Sequence, residues 1–74
     1  MNRASSEDLL FIQMRLFHYF QVKENISVEE TEKIFKKYDV FDYIKACYEE
    51  YHMQGDETNL YDIKLYLRRK GWKR

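Results

Sequence analysis

The sequence predicts an all-α fold: a small single-domain bundle of about four short helices across residues 1–74. Three observations carry that expectation. The chain has no proline and only two glycines, Gly55 and Gly71, so little interrupts a helix. Ser27-Val28-Glu29-Glu30 reads as a capping box, with Ser27 as N-cap and Glu30 at the third helical position. Apolar residues recur at the helical period of ~100° per residue, and strand-like alternation over four or more residues is hard to find.

The first helix spans about residues 6–22. Ser5 or Ser6 can cap it, and Glu7 and Asp8 lie in its first turn, where the helix dipole favours acids. The second helix, 28–37, follows from the capping box. Asp39 is placed to cap a third helix, 40–53. Gly55 then stands where a left-handed C-cap residue belongs, and a positive φ is expected there. Thr58 or Asn59 can cap a fourth helix, 60–70, with Asp62 in its first turn and Gly71 at its end.

The faces of these helices suggest a core. The first helix puts Leu9, Leu10, Ile12, Leu16, Phe17, Tyr19 and Phe20 on one half. Gln13 falls inside that arc and needs a hydrogen-bond partner if buried. The third helix presents Val40, Ile44, Cys47 and Tyr51, with Phe41 and Tyr48 alongside. The fourth presents Leu60, Ile63 and Leu67. Two helices carry apolar residues on a further side. These are Phe11, Met14, Arg15, His18 and Val22 on the first helix, and Tyr61, Leu65 and Arg68 on the fourth. Such a stripe either meets a partner or is covered by the fourth helix wrapping round it. Phe11, Met14, Arg15, His18, Tyr61 and Leu65 are therefore the candidate partner-binding residues.

Bulk properties narrow the function classes. Thirteen basic and thirteen acidic residues cancel, so net charge supplies no global attraction to nucleic acid or to an anionic membrane. No apolar run approaches the ~20 residues needed to span a bilayer, and the N-terminus does not read as a signal peptide. Cys47 stands alone and forms no internal disulfide, which fits a reducing, cytoplasmic setting. A chain this short buries only ~60% of its unfolded surface. Seven tyrosines and five phenylalanines add the large buried area that such a core needs.

Candidate chemistry is sparse. His52 with Asp56 and Glu57 could be read as a metal site. Zinc sites draw on three or four ligands, however, and no paired His or Cys spacing exists here. The simpler reading packs His52 on Tyr48 near the end of the third helix. Cys47 lies on an apolar face, and a residue five positions away, such as His52, projects about 140° from it. A thiol and base so placed do not make an activated nucleophile. No glycine-rich phosphate loop and no HExxH pattern is present. The residues point to no catalytic group, no cofactor and no metal. The one charge bias is the C-terminal set Arg68, Arg69, Lys70, Lys73 and Arg74. It is either a dipole-compatible solvated tail or a phosphate-contacting one with Trp72 available for stacking. A helix-turn-helix built from the second and third helices is disfavoured, because Asp42, Glu49 and Glu50 would face phosphates.

Phe35-Lys36-Lys37-Tyr38, then Asp42, Tyr43 and Ile44, then Tyr48, His52, Gly55 and Glu57, then Leu60, Asp62, Ile63, Leu67 and Gly71 carry a resemblance. The chain resembles a family of small bacterial domains of unknown function, numbered thirty-seven ninety-one. Its family-motif positions are Tyr48, His52, Gly55, Glu57 and Asp62. The chain departs from the pattern at Glu49-Glu50-Tyr51, Met53, Thr58 and Asn59. The resemblance implies genomic neighbours that look like ADP-ribosyltransferases, which suits an antitoxin or accessory protein. The leading expectation is thus a non-enzymatic protein-interaction module, acting on a protein partner or by self-association. The alternative is a nucleic-acid-binding or autoregulatory protein using the basic tail. A metal-dependent enzyme comes last.

Overall fold

The computed structural model describes residues 6–73. They form five helices: α1 (Ser6–Glu24), α2 (Val28–Lys37), α3 (Val40–Ala46), α4 (Tyr48–Met53) and α5 (Asp56–Arg69). Among the described residues there is no strand, so the all-α expectation holds. No helix in this range is long and apolar enough to cross a membrane.

Helix ends follow one device three times. Asn25, Asp39 and Gly71 adopt left-handed backbone with φ of 57°, 54° and 108°. Each stands just beyond a helix and turns the chain so that late carbonyls find donors. After α5, the Gly71 N–H donates to Arg68 O and the Trp72 N–H to Leu67 O. After α1, the Asn25 N–H donates to Val22 O and the Ile26 N–H to Gln21 O. In both cases the next residue, Trp72 or Ile26, packs onto the core. At the start of α2, Ser27 Oγ accepts from the Glu30 N–H at 3.0 Å, which is the N-cap half of the expected capping box.

Several expected boundaries are corrected. The single helix expected over 40–53 is split into α3 and α4 at Cys47, whose φ and ψ are −100° and 15°. Hydrogen bonding runs through the bend: the Cys47 N–H donates to both Tyr43 O and Ile44 O, and the Tyr51 N–H to Cys47 O. Gly55 is not a left-handed C-cap. Its φ of −78° and ψ of 165° are extended, and it precedes α5 as N-cap. Accordingly α5 begins at Asp56 rather than at 60, and Thr58 and Asn59 lie inside it. Asp39 makes no side-chain cap, because its backbone is already committed to ending α2. The N-cap expected at Ser5 or Ser6 rests on side chains outside the described set.

The core takes one row from each helix: Ile12, Leu16 and Phe20 from α1, Ile34 and Phe35 from α2, Val40 and Ile44 from α3, Tyr51 from α4, and Leu60, Ile63 and Leu67 from α5. Phe35 sits at its centre, edge-on to Phe17, Phe20 and Phe41 at 5.1, 5.4 and 5.2 Å. Gln13 is half-buried and donates to Phe41 O at 3.0 Å, which meets its polar requirement. Leu10, expected in the core, is 55% exposed. It lies roughly 120° round the helix from the centre of the buried row, on the outer side with Met14.

These helix ends set the first testable outcome. Gly71→Ala should cost about 1 kcal/mol or more, because alanine is strained at positive φ. Gly55→Ala should stay within about 0.5 kcal/mol of the parent, since a Cβ there meets nothing within 4 Å. Urea midpoints of the two variants check this. A larger loss at Gly55 than at Gly71 would reverse the assignment.

Candidate functional site

The residues expected as family-motif positions, Tyr48, His52, Gly55, Glu57 and Asp62, run from α4 through the turn into α5, and Asp62 organises the corner between the two helices. Tyr43 Oη and Tyr51 Oη both donate to Asp62 Oδ2, at 2.7 and 2.6 Å. Eight residues on an unbroken helix stand about 12 Å apart along its axis. The bend at Cys47 lets both rings lean onto one carboxylate, edge to face with centroids 6.3 Å apart. Hydrogen bonds to an ionised acceptor are short and strong, which fits these distances. Burial, and then the hydrogen bond to Asp62, push both phenols well above the ordinary tyrosine range. The Tyr43 ring also stacks on Tyr66, with centroids 3.9 Å apart. Tyr66 Oη in turn donates to Tyr38 O at 2.6 Å, tying α5 to the end of α2.

The corner closes through Asn59. It is 1% exposed, and its Nδ2 donates at 3.0 Å to Tyr51 O, a carbonyl near the end of α4. That bond and the Gln54 N–H terminate α4 without a left-handed residue, which is why Gly55 is free to be extended. Glu57 faces Lys23 of α1 at 3.7 Å in an exposed pair.

The other chemistry-bearing side chains are placed for packing. His52 is exposed and stacks on Tyr48 with centroids 5.4 Å apart. Cys47 is half-buried beside Tyr43, and burial raises its thiol above the usual value, so it remains protonated and weakly nucleophilic. Among the described residues, no three His, Cys, Asp or Glu side chains stand close enough together to hold a metal ion. Cys47, Tyr51, Asp62, Tyr61 and Leu65 border a surface recess of about 270 Å³ between α4 and α5.

The candidate partner residues fall into two groups. Tyr61, 65% exposed, and Leu65, half-buried, border that recess. Phe11, Met14 and His18 lie exposed on the outer side of α1, not covered by α5, while Arg15 lies on the side that meets α5. Phe11 is 70% exposed, Met14 45% and Val22 55%. Arg15 is already engaged: its Nε and Nη2 donate to Asp56 Oδ2 and Oδ1 at 3.1 and 2.9 Å. This fork ties α1 to the first turn of α5, and a surface pair of this kind contributes ~1 kcal/mol or less.

Of the basic candidates, Arg68, Arg69, Lys70 and Lys73 are exposed, and Arg74 lies outside the described residues. Lys70 lies over the Tyr66 ring at 5.6 Å. Trp72 is not a freely exposed stacking platform. One side of it packs on Phe20, with centroids 5.6 Å apart and planes tilted by 50°.

The sequence reading missed the tyrosine–aspartate cluster and the Arg15–Asp56 and Tyr66–Tyr38 ties. All join different helices, so no spacing within one helix reveals them. The available signal was chemical: Tyr51 on an expected core face must take its hydroxyl to an acceptor.

A model of the family described as "Protein of unknown function (DUF3791)" matches residues 12–70. No curated protein and no solved structure matches the chain.

Two outcomes follow from the Asp62 cluster. Asp62→Ala leaves the buried Tyr51 hydroxyl without its acceptor and should cost about 1–3 kcal/mol in urea unfolding. Stability equal to the parent would show that the cluster is incidental. Both phenols hold their protons more tightly in the folded chain than in the unfolded one. Their contribution is therefore complete below about pH 10, where unfolded tyrosine ionises, and is lost as pH rises above it. Urea midpoints at neutral and strongly alkaline pH should show this fall. In Asp62→Ala it should be shallower.

Proposed function

The chain belongs to the DUF3791 family, and on that premise we propose that it is a non-enzymatic protein-interaction module whose outer α1 face docks a protein partner. The observation that carries the reading is the row Leu10, Phe11, Met14, His18 and Val22. Its apolar members are 45–70% exposed. From Leu10 to Val22 the row runs about 18 Å along one helix. Single exposed apolar residues are ordinary on a protein surface, and a row of them at helical spacing supports a contact surface. Aromatic residues and methionine are also the types enriched in interface cores.

The partner we propose is a bacterial toxin-like enzyme that the module neutralises or assists. Support comes from the resemblance, which implies ADP-ribosyltransferase-like neighbours. The single thiol suits a cytoplasmic, reducing setting.

Phe11→Ala with Met14→Ala should leave urea stability within about 0.5 kcal/mol of the parent, because neither side chain is in the core. The same double variant should weaken association by about 2 kcal/mol or more, as truncating interface anchors does. Co-purification from the native host identifies the partner, and calorimetry with that partner measures the loss. An unfolded double variant of a monomeric parent would place the row in the core. Undiminished binding would remove the α1 face from the interface.

A further inference from the structure

A second recess, built from other elements than the outer α1 face, lies between α2 and the C-terminal turn. We propose that it binds one nucleotide unit of single-stranded nucleic acid, with a base against its aromatic wall and phosphate on its lysines.

The site arises from two local features. The first is the way α2 sorts its charges: Glu29, Glu30 and Glu32 fall early, and Lys33, Lys36 and Lys37 late. The second is the left-handed turn at Gly71, which folds the chain back onto the core. Trp72 then packs one side on Phe20 and brings Lys73 to the last turns of α2. Lys33, Lys37 and Lys73 stand around the resulting recess against a single acid, Glu30. Tyr38 and Trp72 supply its aromatic lining, and its volume is about 340 Å³. Sites for small ligands begin at ~300 Å³, so a base with its phosphate is a suitable occupant.

The chemistry favours a nucleotide over an acidic peptide. Lysines alone would serve either. Trp72 is half-buried against Phe20, and Lys37 Nζ lies over the Tyr38 ring at 5.4 Å, so a base entering the recess takes the place of that ammonium, which moves to the phosphate. Such pairing of rings with cations is how single strands are held without sequence preference. A duplex keeps its bases stacked inside and offers this recess only phosphates. The chain carries no net charge, so attraction must be local, and here three lysines oppose one glutamate.

Trp72 is the only tryptophan in the chain, so its fluorescence reports on this recess alone. The probe is an oligodeoxythymidylate of about eight nucleotides, within the span that small single-strand sites cover. It should quench Trp72 emission saturably. Affinity should fall with salt at a log–log slope of about −0.7 to −1.4, as for the one or two phosphates that flank a single nucleotide. Lys33→Ala with Lys37→Ala should weaken binding by about tenfold or more and flatten that slope, with helicity unchanged. Several results would overturn the proposal. They are no quenching, equal binding of a duplex, equal competition by polyglutamate, and equal binding by the double variant. Displacement by inorganic phosphate alone at matched concentration would mark a bare anion site and also refute the nucleotide assignment.

Discussion

The structure depends on burying Ile12, Leu16 and Phe20, the one row of α1 that can be buried whole. Leu16 and Phe20 are fully enclosed and Ile12 nearly so. α1 has a second apolar side, but turning the helix to bury Phe11 and Met14 would carry Arg15 and His18 inward with them. Desolvating a guanidinium costs several kcal/mol, enough to cancel most of the ~3–6 kcal/mol that burying two apolar side chains returns, and the turn would also expose Ile12, Leu16 and Phe20. The buried row therefore wins, and its choice fixes the rotation of α1. Once that rotation is set, Arg15 reaches Asp56 from the edge of the core, and the remaining apolar residues face outward.

The other helices are held to this row by short polar ties as well as by packing. Asp62 gathers Tyr43 and Tyr51, Tyr66 reaches Tyr38 O, and Asn59 takes the carbonyl of Tyr51. Lys64 meets the nearly buried Glu24 at 2.7 Å, fastening the end of α1 to α5. In a chain of 74 residues the core is small, and each tie orients a helix of only six to nineteen residues that would not be stable alone. Of the residues expected as motif positions, Tyr48 and His52 form a stacked pair at this corner, Gly55 is an N-cap and Asp62 is a shared acceptor.

Much of this was legible in the sequence. Ser27 and Glu30 announced the start of α2 because a capping box is local chemistry. The apolar period placed Leu16, Ile44, Ile63 and Leu67 in the core. What failed depended on contacts between helices. Gly55 looked like a left-handed cap only so long as nothing else ended α4, and Asn59, four residues later, does that from α5. Cys47 gave no sign of a bend, since neither proline nor glycine is near; the bend accompanies the convergence of two tyrosines on an aspartate in another helix. Leu10 was misplaced by its position at the margin of an arc that is narrower in the folded chain than its apolar residues suggested. The outer row on α1 was visible as a pattern, and only the packing decided which way it faced.

Hydroxyl-radical footprinting of the isolated monomer tests the central claim most directly, because it reads both sides of α1 in one experiment. Phe11 and Met14 should be modified rapidly, while Leu16 and Phe20 on the same helix stay protected until the chain unfolds. Protection of Phe11 and Met14 equal to that of Phe20, in a protein shown by sedimentation to be monomeric, would contradict the account.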